Sequence, residues 1–98
     1  MKIQLLSSAF QDLIAGRKFY EKQGEGLGEY YFDSLFSDID SLALFAGVHQ
    51  RVFGYHRMLA KRFPFAIYYK VVGENTVVVW RVLDLRQNPI KLRNALRT

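Results

Sequence analysis

Six cations in the second half of the chain, Arg57, Lys61, Arg62, Arg81, Arg86 and Arg93, are the residues whose chemistry stands out. Guanidinium and ammonium groups gathered from neighbouring strands can hold a phosphate or neutralise charge developing on one. Cleavage of RNA through its 2′-hydroxyl also needs a group that takes a proton and one that protonates the leaving oxygen. A positioned group for either role is harder to find. No Tyr or His follows Tyr69, and exposed carboxylates such as Glu74 or Asp84, with an ordinary pKa near about 4, match neutral pH poorly. His56, beside Arg57, reads as a structural or surface residue. The chain has no cysteine and only His49 and His56, which excludes thiolate nucleophiles, disulfides and a zinc cage. Neither a phosphate-loop spacing nor a dinucleotide fingerprint occurs, so no cofactor and no metal are expected.

The charge is segregated. Residues 1–50 carry four Lys or Arg against seven acids, whereas residues 51–98 carry ten against Glu74 and Asp84. Clustered like charge repels itself, so a basic half implies a polyanionic or acidic partner, with a solvated basic surface as the bland alternative. At 98 residues, half of them apolar, the chain suffices for one packed domain spanning 1–98 and does not carry the signature of disorder. No apolar run reaches the roughly 18 residues that span a bilayer, and the first residues lack a signal-peptide pattern. A cytoplasmic protein without a membrane partner is the expectation.

The elements that must position these cations follow from periodicity. Residues 2–6 read as a strand. A helix follows, opened by a Ser8/Gln11 capping box and carrying Ala9, Phe10, Leu13, Ile14, Phe19 and Tyr20 on its apolar stripe. After Gly24 and Gly26, a longer helix over 27–46 shows Leu27, Tyr31, Leu35, Ile39 and Leu42 at helical spacing. Glu25, Glu29, Asp33 and Asp40 lie on its opposite, solvated edge. The two helices should form an antiparallel hairpin. Three strands complete the sheet, over 51–59, 63–72 and 76–83. In the middle one Phe65, Ile67, Tyr69 and Val71 should face the helices, leaving Tyr68 on the opposite face and free for a partner. Trp80 reads as packing. Arg81 interrupts an otherwise apolar central strand, so it must pair with a carboxylate such as Asp84, snorkel to the sheet edge, or meet a ligand. Asn88 and Pro89 can cap and open a short terminal helix through 97. The fold class is therefore α+β: strand, helical hairpin, mainly antiparallel sheet (β-α-α-β-β-β), C-terminal helix.

Several segments in this order carry a resemblance. Asp12-Leu13, Phe19-Tyr20-Glu21, Gly26-Leu27-Gly28 with Phe32 and Leu35, Arg62-Phe63-Pro64-Phe65 with Ile67 and Tyr69, and the closing run Val82-Leu83-Asp84-Leu85-Arg86-Gln87-Asn88-Pro89 together resemble the ParE branch of the RelE/ParE toxin superfamily over nearly the whole chain. The resemblance implies a plasmid-stabilisation type of toxin, neutralised by a cognate antitoxin with which it forms a hetero-oligomer. ParE-like members act on DNA gyrase, while RelE-like members cut mRNA on the ribosome and tend to keep a late Tyr or His. Two departures touch target recognition: Asp84 stands where the ParE pattern commonly has His, and Arg86-Gln87 where it has paired Arg. An inhibitor rather than an enzyme is the implied reading. An endoribonuclease and a non-toxic basic nucleic-acid-binding module are the alternatives.

Overall fold

Alternating apolar residues over 65–83 need two covered faces, and the computed structural model, which describes residues 1–97, supplies both. The chain runs through β1 (Lys2–Leu5), α1 (Ser7–Gln23), α2 (Leu27–Asp40), α3 (Leu42–Phe45), β2 (Arg51–Val52), β3 (Tyr55–Leu59), β4 (Phe65–Val72), β5 (Thr76–Asp84) and α4 (Pro89–Ala95). The sheet order is β1-β5-β4-β3-β2, with β1 parallel to β5 and the other neighbours antiparallel. The α+β architecture and the central place of β5 are as expected from the sequence.

One face of the sheet meets the helical hairpin. Phe65, Ile67, Tyr69, Val77, Val79 and Val82 pack there against Ala9, Leu13, Tyr20, Tyr31, Leu35 and Ile39. The other face holds a second, smaller core in which α4 lays Leu92 and Leu96 over Tyr55, Ala66, Tyr68 and Leu83. Tyr68 is therefore fully buried and not open to a partner; the terminal helix, whose apolar residues are few but well spaced, covers it. Asn88 caps that helix through a bond from Ile90 N–H (2.8 Å), with Pro89 opening it, as its sequence dictates.

Four further expectations are corrected. The helix expected over 27–46 ends at Asp40, and Ser41 folds back on it through Oγ to Asp38 O (2.6 Å) before the single turn α3 begins. A Ser side chain competing for the preceding carbonyls is a known cause of such breaks. The strand expected over 51–59 is a tight hairpin, β2-β3, turning at Phe53 and Gly54, both at positive φ (56° and 85°), as a two-residue turn compatible with strand twist requires. The sheet thus has five strands instead of four. Ser8 and Gln11 form no capping box; Leu6 is the N-cap, without a side-chain bond, and Ser8 Oγ donates instead to Trp80 O (3.0 Å). Phe10 and Phe19, expected on the buried stripe, are about half exposed at its margins.

The α1–α2 packing depends on close approach. A Cβ at Gly16 would overlap the ring and hydroxyl of Tyr31, and one at Gly28 would come within 2.5 Å of Arg17 O. Tyr31 is fully buried among Tyr20, Phe63 and Phe65, with ring centroids about 5 Å away in each case. Gly16→Ala should therefore lower stability by about 1 to 3 kcal/mol through overpacking. A denaturant melt with an unchanged midpoint would show that Tyr31 can move aside freely.

Candidate functional site

The six cations do not converge on one point. Arg81 projects from β5 just after a bulge, where the register shifts from Tyr68 opposite Arg81 to Tyr69 opposite Val79 and leaves Trp80 as the extra residue. Bulges re-aim side chains, and this one directs the guanidinium to α1. Arg81 Nε and Nη2 donate to the two carboxylate oxygens of Asp12 (2.7 and 2.9 Å), while Nη1 donates to Ala95 O on α4 (3.0 Å). Its partner is Asp12 and not Asp84, because helix α1 crosses this edge of β5. The bonds to Asp12 raise the Arg81 pKa further, although burial opposes them. Arg81 is a scaffold residue by these contacts.

Arg86 takes Asp84 instead. Its backbone N–H and Nε donate to Asp84 Oδ1 (2.9 and 3.0 Å) and Nη2 donates to Oδ2 (2.7 Å). Those bonds hold the Asp84 carboxyl below its usual range. More than half of the Arg86 side chain remains exposed, so it can still meet a second molecule. Arg93 lies on α4 and, with Arg97, Phe53 and Leu96, lines an open cleft of about 390 Å³. Arg62 is exposed in the turn before β4. On the same sheet face as α4, Lys70 Nζ lies 4.7 and 5.0 Å from the ring centroids of Tyr55 and Trp80, a favourable cation–π position.

Arg57 and Lys61 are brought together. They border a groove of about 460 Å³ whose apolar walls are Phe45, Val48, Met58 and Leu59, with Asp38, Ser41 and His49 deeper in the wall. Phe45, Val48, Leu59 and the neighbouring Leu44 are all more than half exposed, a concentration of apolar surface that marks an interaction site. The edge of β3 is open here as well. The Ala60 N–H to Phe65 O bond fixes which β3 groups face β4, so the N–H and C=O of Leu59 point outward. They lie between Arg57 N–H, which reaches Gln50 O (2.9 Å), and Lys61 N–H, which reaches Asp38 Oδ2 (3.1 Å).

Sequence reasoning missed the contribution of His49 and of the loop that carries it. Tyr69 Oη accepts from Gly47 N–H (2.9 Å) and lies 2.5 Å from His49 Nδ1, while His56 Nδ1 donates to His49 O (2.7 Å) and its ring stacks on Tyr69. The signal was present in strand register: His56 pairs with Tyr69, and a hairpin count from the 60–64 turn places them opposite. The exposed run Leu44, Phe45, Val48 was equally readable, but the helical period absorbed it. No helix among the described residues is long and apolar enough to cross a membrane.

The chain matches no family profile and no curated protein. Among solved structures, a chain of the chromosomal ParDE TA (toxin–antitoxin) system from P. aeruginosa is similar in fold, with a TM-score of 0.74. The match covers 88% of this chain and 97% of that one, at 19% sequence identity.

Besides its leucines and the Arg81 bond to Ala95 O, the terminal helix is held by a buried polar contact in which Tyr55 Oη donates to Leu96 O (2.7 Å). Tyr55→Phe should cost about 0.5 to 1.5 kcal/mol, the usual net value of such a bond plus the orphaned carbonyl. It should also increase amide exchange at residues 92–97 before the rest of the molecule. Uniform exchange across the sheet and α4 would contradict this role.

Proposed function

We propose that the chain is a ParE-like toxin that acts by inhibiting DNA gyrase and is silenced by a cognate antitoxin seated in the groove beside Arg57 and Lys61. The observation that carries the reading is this groove, on a chain with the fold of a solved ParDE toxin–antitoxin system. Exposed apolar side chains flanked by cations suit an acidic, amphipathic segment, in which apolar anchors slow release and opposite charge speeds encounter. The toxin–antitoxin hetero-oligomer would thus bury surface that the toxin alone leaves open. A cytoplasmic place of action and a role in plasmid stabilisation belong to the same reading.

The state of the cations supports inhibition over RNA cleavage. Arg81 is committed to Asp12 and the α4 backbone, and Arg86 to Asp84, so two of the groups that would neutralise a phosphorane are occupied within the fold. Arg62, Arg86 and Arg93 remain exposed and are the surface groups from which target contacts would come, with Arg57 and Lys61 shared with the antitoxin.

Expression without an antitoxin should arrest bacterial growth, with filamentation and a DNA-damage response while protein synthesis continues, and the purified chain should inhibit gyrase supercoiling. Prompt loss of translation with cleaved mRNA would replace gyrase by the ribosome as target and make the chain an endoribonuclease. Growth without any arrest would favour a basic nucleic-acid-binding module.

A further inference from the structure

The turn between β2 and β3 carries a residue that its backbone does not favour. Phe53 and Gly54 are both at positive φ (56° and 85°), the two-residue turn for which Asn-Gly is the preferred pair. A phenylalanine there crowds its Cβ against the backbone. The ring is not withdrawn into a core in exchange: 46% of Phe53 stays exposed, lining the cleft of about 390 Å³ that it shares with Arg93, Leu96 and Arg97. Strain held at an exposed position points to a use at that position.

The surroundings define what would use it. Arg93 and Arg97 are exposed on and just after α4, and Leu96 is buried, so the apolar surface that the cleft offers is the Phe53 ring. Around the turn, Arg51, Gly54, His56 and Lys70 line a second hollow of about 190 Å³, and Lys70 is the ammonium held over Tyr55 and Trp80. Four cations thus flank one ring. Among the described residues, no carboxylate lines either hollow; Glu74 is in the β4–β5 turn and Asp84 is taken by Arg86. The Arg57–Lys61 groove has the opposite chemistry, several exposed apolar side chains beside two cations. An amphipathic peptide finds a row of anchors there and a single ring here. A ring set among cations matches instead a nucleobase and the phosphates on either side of it, and a base with a free face is found on a single strand.

We propose that the β2–β3 turn and the end of α4 form a binding site for single-stranded nucleic acid, in which a base stacks on Phe53 while Arg93, Arg97, Arg51 and Lys70 hold the neighbouring phosphates. The stacking base and the phosphodiester strand are common to DNA and RNA. The site shares no lining residue with the antitoxin groove, and it does not rest on the toxin reading.

The test measures binding of fluorescein-labelled oligothymidylate and oligouridylate, each of about fifteen nucleotides, to the full chain by anisotropy across a salt series. The two arms show whether DNA or RNA is the preferred strand. With four phosphate contacts, the logarithm of the affinity should fall against the logarithm of salt with a slope of about −3. Phe53→Asn, which puts the favoured residue before Gly54 and so keeps the hairpin, should weaken binding about tenfold or more, whereas Phe53→Trp should stay within about twofold of the native chain. Arg93→Gln combined with Arg97→Gln, at two exposed positions, should cut the salt slope by about half. Absence of binding by either strand at low salt overturns the proposal. So does binding that Phe53→Asn leaves unchanged, and so does equal binding of an oligoglutamate of matched charge, which would give the surface to an acidic protein. Since no antitoxin or gyrase enters the measurement, failure here leaves the growth-arrest assay to judge the toxin reading separately.

Discussion

The molecule depends on how the outer edge of β5 is closed after β1 stops at Leu5. Beyond that point the edge of the central strand still presents backbone groups that cannot be left buried and unpaired. The start of α1 meets them in turn: Leu6 N–H donates to Val79 O (3.1 Å), Ser8 Oγ donates to Trp80 O (3.0 Å), and Val82 N–H donates to Asp12 Oδ2 (3.0 Å). Ser8 and Asp12 are one helical turn apart, so a single face of α1 substitutes for the missing strand. The Arg81 guanidinium then locks the arrangement, holding both oxygens of Asp12 while reaching Ala95 O on α4. One residue thereby connects the helical hairpin, the central strand and the terminal helix.

This arrangement divides the basic residues by role. An arginine that bridges three elements is poorly placed to meet a partner, whereas Arg57 and Lys61 stand at the mouth of an apolar groove and Arg93 on the exposed side of α4. The acidic edge of α2, Glu29, Asp33 and Asp40, with Glu25 in the turn before it, is entirely solvent-exposed and lies within the acidic half of the sequence. Charge segregation along the chain thus corresponds to separate layers, an acidic helical edge and a more basic sheet with its C-terminal helix. The groove sits where the two meet, and its apolar walls are provided by α3, the loop after it and the end of β3.

Most of the fold was legible because its core positions obey clean periods. Tyr31, Leu35, Ile39 and Leu42 are buried at the helical spacing, and Phe65, Ile67 and Tyr69 at the strand spacing. The cap of α4 was readable from Asn88 and Pro89 alone. What failed did so where tertiary contacts outweighed local pattern. Ser8 has the spacing of a capping box, but the strand-edge carbonyl of Trp80 claims its hydroxyl. Tyr68 alternates away from the main core, and only the docking of Leu92 and Leu96 reveals a second one. An arginine in the apolar strand β5 calls for a carboxylate, the sheet edge or a ligand, but choosing Asp12 over Asp84 requires knowing that α1 crosses the edge of β5. The positive φ at Phe53, unfavourable for an aromatic residue, concealed the β2-β3 turn within what reads as one strand.

The claim that Arg81 is scaffold through Asp12 is most directly tested by a double-mutant cycle on Asp12→Ala and Arg81→Ala, read by chemical denaturation. The structure predicts that the two single losses are strongly non-additive, with a coupling of about 1 kcal/mol or more, as expected for residues sharing one ion pair and its hydrogen bonds. Additive losses, with no measurable coupling, would contradict the role given to this pair and return Arg81 to the candidates for contact with the target.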